Sequence, residues 1–459
     1  MRSGWEQSPA RFLRRPALRA AVASTSLTRP NGINTSYSYD AQSRLQSVLH
    51  QLNGSTVDGA SYTYDDAGNR TSKTDLLAGV TSNYGYDGIY QLTGVTQDAV
   101  TTESYSYDLV GNRLSSLGVS PYAYNSSNEL TSTPAATYTY DSNGNTKTKV
   151  DATGTTTYNW DYENRLKSVV LPGGGGTVSF KYDPFGRRVQ QAGPSGTTNY
   201  LYDGANVLEE VDQAGTLLAR YTSTQNVDES LTETRSGTTS HYEQDGLGSV
   251  TSLSNASGAL ANTYTYDGFG KLTASTGTLV NPFQYTGREF DAGAGNYFYR
   301  ARYYDQNVGR FVSEDPAGFG AGLDFYAYIG NRPVQYNDPF GLFARCVSAS
   351  SSYWIGPLAI LHHQPWFRPP SFFNLIWYDA ECECNKTPTN PTIAPGPAFE
   401  VPGGPSLYGL MSPSIAFVVP VTKSHTRYAV TVQTRYSSIV GPGGQGGAGQ
   451  NLLLCYDCQ

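Results

Sequence analysis

Residues 287–342 decide the fold of this chain, and they read GREFDAGAGNYFYRARYYDQNVGRFVSEDPAGFGAGLDFYAYIGNRPVQYNDPFGL. Tyr, Gly, Asp and Arg are dense in this stretch, which ends in Asp-Pro-Phe-Gly-Leu at 338–342. Tyr-Asp repeats without cysteine precede it, whereas all five cysteines of the chain follow it. So abrupt a change in composition predicts two modules that are joined at a defined point.

The composition limits the class of protein. The 459 residues are enough for two or three domains or for one long repeat array. Only 15% of them are charged and the net charge is −7, which argues against a nucleic-acid-binding surface, because such surfaces need clustered Lys and Arg. The 49 Gly and 36 Tyr favour short strands and tight turns over helices. An aromatic content of 13% is high for a disordered chain.

Internal repetition dominates residues 30–270. The repeated element is Tyr-x-Tyr-Asp, and successive aspartates fall roughly 16–25 residues apart. Several copies continue as Asp-x-x-Gly-Asn-Arg, as at 65–70 and 108–113. The clear copies are at 37–40, 62–65, 84–87, 105–108 and 138–141, and the looser ones are Tyr122–Asn125, Tyr158–Asp161, Lys181–Asp183, Tyr200–Asp203 and Tyr264–Asp267.

Each repeat unit predicts a β-hairpin. Tyr-x-Tyr puts both rings on one face of a strand, because side chains alternate with period two. The Asp that follows can cap a turn, and the Gly or Asn after it can adopt positive φ. A short alternating segment such as 113–117 then returns. No unit has an apolar face large enough to be stable alone, so the hairpins must stack side by side in an all-β array.

The ends of the chain carry few signals. Residues 1–29 are predicted to be a poorly ordered N-terminal segment, and Arg19 interrupts an apolar run too short for a signal peptide. No stretch has the ~20 apolar residues that a membrane helix needs. The nearest candidate is 353–378, which His362, His363 and several prolines interrupt. The sequence therefore predicts no membrane-spanning segment and leaves the export route unmarked.

Two carboxylates of the decisive stretch are candidates for chemistry. Asp315 and Asp338 both precede proline, which biases their backbone toward extended geometry. Two aspartates that share one proton can hydrolyse a peptide, because one activates water while the other polarises the carbonyl. Arg310, five residues before Asp315, can orient a carboxylate or keep it ionised. The structural alternative is that Asp-Pro merely opens a turn.

The cysteines form a second candidate constellation. Two closely spaced thiol pairs can hold tetrahedral zinc, although Cys-x-Cys spacing is poorer for this than Cys-x-x-Cys. Disulfides in an exported chain, or free thiols without a role, are the alternatives, and we predict no other cofactor. The pairs are Cys382 with Cys384 and Cys455 with Cys458, with Cys346, His362, His363 and His425 as further donors.

The repeats resemble the YD repeats of the RHS and teneurin-like families, which include polymorphic toxin RHS proteins and the C component of Tc toxins. The resemblance covers about 30–342, and 241–258 also resembles the family's stretch before the core. It implies a spiralling array of YD-repeat β-hairpins at 30–270 that forms part of a hollow shell. An RHS core domain at 271–342 follows. Residues 343–459 would be a small, variable, effector-like domain of unknown fold, since they resemble no family we can name.

The resemblance also implies an activity. RHS cores that end in Asp-Pro-x-Gly-Leu typically cleave themselves after the Leu with core aspartates. In this sequence the bond would be Leu342–Phe343, with Asp315 and Asp338 as catalytic residues of a single-turnover aspartic autoprotease. Arg310 would support them, and Asp324 is a third carboxylate that can replace either. We expect the core tyrosines to pack rather than to bind a ligand, namely Tyr297, Tyr299, Tyr303, Tyr304, Tyr326 and Tyr328.

Partners and location follow from the same resemblance. The shell would hold its own C-terminal segment, with a secretion or loading partner and an immunity protein outside it, and no nucleic acid is indicated. The protein would be secreted or on the cell surface. The alternative is a non-cleaving structural or glycan-binding YD-repeat protein, with exposed tyrosine faces stacked on sugars. Because the array starts near residue 30, a short family member or a degenerate gene fragment is a third alternative, and closure of the shell stays open.

Overall fold

The computed structural model describes residues 26–318 and 322–342 in full, and beyond them the backbone of six strands. The chain divides into two compact units, Met1–Phe343 and Ala344–Gln459. In the described part of the chain, no helix is long and apolar enough to cross a membrane. Helical structure within 26–318 and 322–342 is confined to 3-10 turns, including Pro172–Gly174, Tyr285–Gly287 and Ile329–Asn331.

The repeat region forms two antiparallel sheets in which every strand pairs with its neighbours in chain order. This confirms the prediction of an all-β hairpin array. The first sheet has nine strands: β1 Ser26–Thr28, β2 Ile33–Tyr39, β3 Leu45–Leu52, β4 Ser55–Tyr64, β5 Arg70–Asp75, β6 Thr81–Tyr86, β7 Leu92–Gln97, β8 Val100–Tyr107 and β9 Arg113–Ser116. The second has sixteen: β10 Ala123–Tyr124, β11 Leu130–Thr133, β12 Ala136–Tyr140, β13 Thr146–Asp151, β14 Gly154–Trp160, β15 Leu166–Val170, β16 Thr177–Tyr182, β17 Arg188–Gly193, β18 Gly196–Asp203, β19 Asn206–Val211, β20 Leu217–Ser223, β21 Ser230–Arg235, β22 Thr238–Gln244, β23 Val250–Ser254, β24 Leu260–Tyr266 and β25 Leu272–Thr276.

Smaller sheets complete each unit. The core of the first unit has β26 Glu289–Asp291, β27 Asn296–Tyr299, β28 Arg302–Asp305 and β29 Arg310–Phe311, paired in that order. The second unit contains two sheets of three strands, ordered β30-β35-β32 and β31-β34-β33. Their strands are β30 Cys346–Ser352, β31 Ser371–Asp379, β32 Pro388–Glu400, β33 Val418–Ser424, β34 Arg427–Arg435 and β35 Ala448–Cys458.

In most repeats the second tyrosine bonds one hairpin to the one before it. The Tyr64 hydroxyl donates to the Leu45 carbonyl at 2.6 Å, and the Tyr107 hydroxyl donates to the Leu92 carbonyl at 2.7 Å. A ring that packs while its hydroxyl satisfies a backbone acceptor stabilises the stack at both ends. The same bond is made by Tyr86, Tyr124, Tyr140, Tyr182, Tyr202 and Tyr266.

In most repeats the aspartate, or an asparagine in its place, closes the turn. Asp108 Oδ1 accepts the Val110 N–H at 3.0 Å and the Asn112 N–H at 2.9 Å, while Gly111 takes a φ of 99°. In another copy, Asn164 takes the positive φ instead, at 58°. These turns confirm the predicted roles of Asp, Gly and Asn. The same pair of bonds forms at Asp40, Asp87, Asn125, Asp141, Asp161, Asp183, Asp212, Asp245, Asn255 and Asp267.

The core tyrosines are packed, as predicted. Tyr304 and Tyr328 have ring centroids 4.5 Å apart, and both side chains are fully buried. Around them, Tyr299 and Phe311 form edge-to-face contacts with Tyr328, a geometry that aromatic rings favour. Because Tyr304 belongs to β28, this packing includes the strand that carries the candidate site.

The first sheet contacts the far end of the second. Lys73 on β5 pairs with Asp245 after β22 at 2.6 Å, across 172 residues of sequence. Glu103 on β8 accepts the Gly268 N–H with both carboxylate oxygens at 3.0 Å. Burial, reinforced by the charge of Asp267, raises the Glu103 pKa to about 7. This contact therefore depends on pH.

Replacing Glu103 with Gln should stabilise the protein at pH 8 but not at pH 5. The folded protein holds the Glu103 proton with a pKa of about 7, against 4.5 for an ordinary Glu. Protonation of Glu103 stabilises the folded state. This stabilisation is complete at pH values below the pKa of Glu103 in the unfolded state, and it is lost as the pH rises through the pKa of Glu103 in the folded state. Relative to wild type, the variant should gain about 2 kcal/mol in unfolding free energy between pH 5 and pH 8. Urea unfolding of both proteins measures the difference in stability between the variant and wild type. If this difference were the same at pH 5 and pH 8, the raised pKa of Glu103 would be contradicted.

Candidate functional site

The Asp-Pro-Phe-Gly-Leu segment at 338–342 is held along its backbone by residues 300–302. Arg300 Nη1 donates to the Pro339 carbonyl, the Ala301 N–H donates to the Phe340 carbonyl at 3.2 Å, and Arg302 Nε donates to the Gly341 carbonyl at 2.5 Å. Three consecutive residues therefore bind three consecutive carbonyls. Phe343, the predicted residue after the cleaved bond, lies outside the described residues.

Arg302, the first residue of β28, is the centre of the site. Its Nη2 lies 2.6 Å from Asp315 Oδ2 and 3.6 Å from Asp338 Oδ2, so one nitrogen joins the two predicted catalytic aspartates. Its Nη1 donates to the Phe325 carbonyl at 2.9 Å, and its guanidinium lies 3.6 Å from the centre of the Phe311 ring. The side chain is 1% exposed, so these contacts replace water almost completely.

The two aspartates have different surroundings. Asp315 accepts the Ala317 N–H at 2.8 Å and has the closer ion pair with Arg302. Asp338 Oδ1 accepts the Leu342 N–H at 3.0 Å, but its buried Oδ2 makes no hydrogen bond within the described residues. A buried pair of this kind can divide into one anion and one protonated acid.

The electrostatics of the site follow from its burial. Burial raises the pKa of Asp338, and the charge of Asp315 raises it further, while Arg302 and the Leu342 N–H oppose the shift. Burial also lowers the Arg302 pKa to about 10, against the attraction of the carboxylates. Arg302 is still a cation at neutral pH, whereas Asp338 keeps its proton to higher pH than an ordinary aspartate.

Arg310, the cation suggested by sequence, lies elsewhere. Its Nη2 pairs with Asp324 Oδ1 at 3.2 Å and donates to the Asn128 carbonyl at 2.6 Å. The guanidinium lies 4.9 Å from the ring centres of both Tyr124 and Tyr326. The structure therefore brings Asp315 and Asp338 together without Arg310. It joins Asp324 to Arg310 rather than to the pair.

Sequence reasoning missed Arg302, although a signal was present. Arg302 lies in Tyr-Phe-Tyr-Arg-Ala-Arg-Tyr-Tyr, at 297–304, where an arginine in a buried aromatic strand needs a carboxylate partner. Proximity along the chain favoured Arg310, which is only five residues from Asp315. The turn between β28 and β29 brings Arg302 to Asp315 across a greater separation.

The metal prediction concerns residues that the structure does not describe in full. Cys382 and Cys384 lie outside the described residues, and of Cys455 and Cys458 on β35 only the backbone is described. Among the fully described side chains, no group of three His, Cys, Asp or Glu is arranged to hold a metal ion. Zinc or disulfides at these four cysteines therefore stay a prediction.

Solved structures share this fold. A Photorhabdus luminescens Tc holotoxin pore superposes with a TM-score of 0.61 at 20% identity, covering 74% of this chain and 19% of that one. The TcdB2-TccC3 crystal structure gives a TM-score of 0.60 at 20% identity, covering 74% and 20% of the two chains. At this identity the likeness concerns the fold alone.

Relatives are also found by sequence. The tRNA3(Ser)-specific nuclease WapA of Bacillus spizizenii is 34% identical over 296 residues, which are 61% of this chain and 11% of the relative. The toxin protein Tse5 of Pseudomonas aeruginosa is 34% identical over 101 residues, or 22% of this chain and 8% of the relative. The chain thus spans about a tenth of the length of these relatives. A family model described as Teneurin YD-shell matches residues 77–321, which is more than half of the chain, and the chain therefore belongs to the Teneurin YD-shell family.

Proposed function

We propose that this chain is a YD-shell protein that cuts its own backbone between Leu342 and Phe343. The observation that carries the proposal is the pair Asp315 and Asp338, joined by Arg302 beside a segment whose carbonyls are already bound. Aspartic hydrolysis requires a bound peptide next to two carboxylates that act together, and Asp315 and Asp338 are two buried carboxylates on one guanidinium beside a bound segment.

The chemistry assigns one role to each carboxylate. Asp315, which has the closer ion pair with Arg302, takes a proton from water while the water oxygen attacks the Leu342 carbonyl carbon. Asp338 gives its proton to the carbonyl oxygen, and a tetrahedral intermediate forms. When the C–N bond breaks, the proton on Asp315 passes to the Phe343 nitrogen and Asp338 recovers its own. The products are a carboxyl group at Leu342 and an amine at Phe343.

The C-terminal segment would stay with the shell after cleavage. We infer that residues 343–459 are an effector that the shell retains until delivery outside the producing cell. Relatives named as a nuclease and as a toxin, each far longer than this chain, support this inference. A loading partner and an immunity protein are the partners that such a role requires.

The non-cleaving glycan-binding alternative has less support. It needs exposed tyrosine faces, but in the five clear repeats no first tyrosine is exposed. Tyr62 and Tyr105 are 4% and 8% exposed, and the others are half-buried, namely Tyr37, Tyr84 and Tyr138. The second tyrosines use their hydroxyls on backbone carbonyls. Tyr162 and Phe185, exposed by 89% and 86%, lie in turns instead.

The proposal is tested by comparing denaturing and native separation of the full chain. We expect two bands on a denaturing gel and one species on native size exclusion, because the fragments stay associated. The rate of cleavage should not change over a hundredfold dilution, since bond and carboxylates belong to one chain. A single full-length band after folding would instead favour the structural alternative.

A further inference from the structure

We propose that Arg300, supported by Asp228, is a positioning residue that sets which peptide bond of the segment reaches the aspartates. This inference rests on the proposed self-cleavage and assigns it a new residue pair. Arg300 forms bonds with Asp228 and with the Pro339 carbonyl, so the pair can act on cleavage through the segment.

The alignment of two backbones carries the proposal. Because residues 300, 301 and 302 bind the carbonyls of 339, 340 and 341 in order, a slip of one residue breaks all three bonds at once. The next peptide along is Leu342–Phe343. Arg302 binds both the aspartates and the segment. Arg300 instead binds the segment, the Asp228 carboxylate and the Ala205 carbonyl. Arg300 also lies over the Phe340 ring, 5.4 Å from its centre.

Arg300 is fixed from the opposite side. Asp228 binds it with both carboxylate oxygens, at 2.7 Å and 3.0 Å, which is the bidentate geometry that best orients a guanidinium. Its Nη2 also donates to the Ala205 carbonyl at 3.1 Å. Asp228 is itself held, because its N–H donates to Asn206 Oδ1 at 3.1 Å.

Asp228 balances two cations. Arg288 Nη1 donates to the same Asp228 Oδ1 at 2.5 Å, so one buried carboxylate lies between two guanidiniums. Burial and the neighbouring charge of Arg288 lower the pKa of Arg300, and Asp228 opposes both effects. Neutralising Asp228 would remove the negative charge between Arg288 and Arg300, and Arg300 would then move away from its place beside Pro339.

The test is a pulse–chase of the full-length chain in cell-free translation, with intact-mass analysis of the products. Arg300→Gln should lengthen the half-life of the full-length chain on the order of 100-fold, the cost of misplacing a reacting group by about 1 Å. Arg300→Lys, which keeps the charge but loses the bidentate geometry of the bond to Asp228, should show an intermediate half-life. Asp228→Asn should also slow cleavage, and adding it to Arg300→Gln should slow it little more.

Arg188→Gln is the matched control. It removes another buried guanidinium, paired with Glu289 at 2.5 Å and Asp291 at 2.7 Å, without touching residues 338–342. It should destabilise the fold comparably yet leave the cleavage half-life within about threefold of wild type. Slowing by Arg188→Gln equal to that by Arg300→Gln would overturn the positioning role.

Other outcomes separate this inference from the proposed function. An uncut wild-type chain would refute self-cleavage itself. A cut wild type, with Arg300→Gln cut at the same rate and bond, would refute only the role of Arg300. If Arg300→Gln fails to fold, as judged by circular dichroism, Arg300→Lys decides: slowing supports the role, and a wild-type half-life overturns it.

Discussion

Replacing Asp338 with Asn is expected to leave the chain as one uncut polypeptide. The amide keeps the shape of the side chain and can still accept the Leu342 N–H, but it cannot give a proton to the carbonyl oxygen. Losing a general acid or base typically lowers a rate by about 10²–10⁴-fold, so the half-life of the full-length chain should lengthen by that factor. Asp315→Asn should have the same effect, because it removes the base. A denaturing gel of each variant measures the result.

Asp324→Asn is the control for this prediction. It also neutralises a buried aspartate, but this one forms its ion pair with Arg310, whereas Arg302 forms ion pairs with Asp315 and Asp338. Cleavage of Asp324→Asn should continue within a few-fold of the wild-type rate. If Asp324→Asn were uncut while Asp338→Asn was cut, the pair would have to be reassigned to Asp315 and Asp324.

The same assignment fixes the direction of the pH dependence of cleavage. Asp338 acts as an acid, so the rate should fall as the pH rises through its pKa. Burial raises that pKa, so the protonated form persists to higher pH than for an ordinary aspartate. Cleavage that accelerates with rising pH over this range would contradict the role of Asp338.

Gly341→Ala is expected to slow cleavage more than 100-fold while leaving the hairpin array folded. Gly341 has a φ of 67°, and a Cβ there would lie 2.2 Å from the Tyr299 carbonyl oxygen. Tyr299 is fully buried in the aromatic cluster and cannot yield, so the segment must move. The move would break the bond from Arg302 to the Gly341 carbonyl and displace the Leu342 peptide.

Gly186→Ala separates backbone strain from displacement of the segment. Gly186 has a φ of 81°, but nothing lies within 4 Å of the Cβ that Ala would add. This variant should lose about 1 kcal/mol of stability and be cut at the wild-type rate. Pulse–chase half-lives of both variants measure the difference, and equal half-lives would show that the segment is not held as described.

The hairpin array could be predicted from sequence because each of its determinants is local. Tyr-x-Tyr and Asp-x-x-Gly act within one repeat, as the bonds of Asp108 to Val110 and Asn112 illustrate. The tie between hairpins, such as Tyr64 to Leu45, was not predicted, because it needs the register of neighbouring strands. The repeated motif was therefore enough to predict the hairpins, whereas the bonds between hairpins could be seen only in the structure.

The candidate site could be predicted only in part. The family resemblance pointed to Asp315 and Asp338, and the structure brings both to Arg302. The arginine that pairs with these aspartates could not be identified from its distance along the chain, because in the folded structure Arg310 pairs with Asp324 instead. The support of Arg300 by Asp228, 72 residues earlier, depends on tertiary packing alone.

The most direct test of the account is the intact mass and N-terminal sequence of the fragments that the purified full-length chain contains. We predict a break between Leu342 and Phe343, with a new N-terminus that reads Phe-Ala-Arg-Cys. The break should be absent from the chain in which Asp315 and Asp338 are both Asn. An uncut wild-type chain, a break at another bond, or equal cleavage of the double variant would contradict the account.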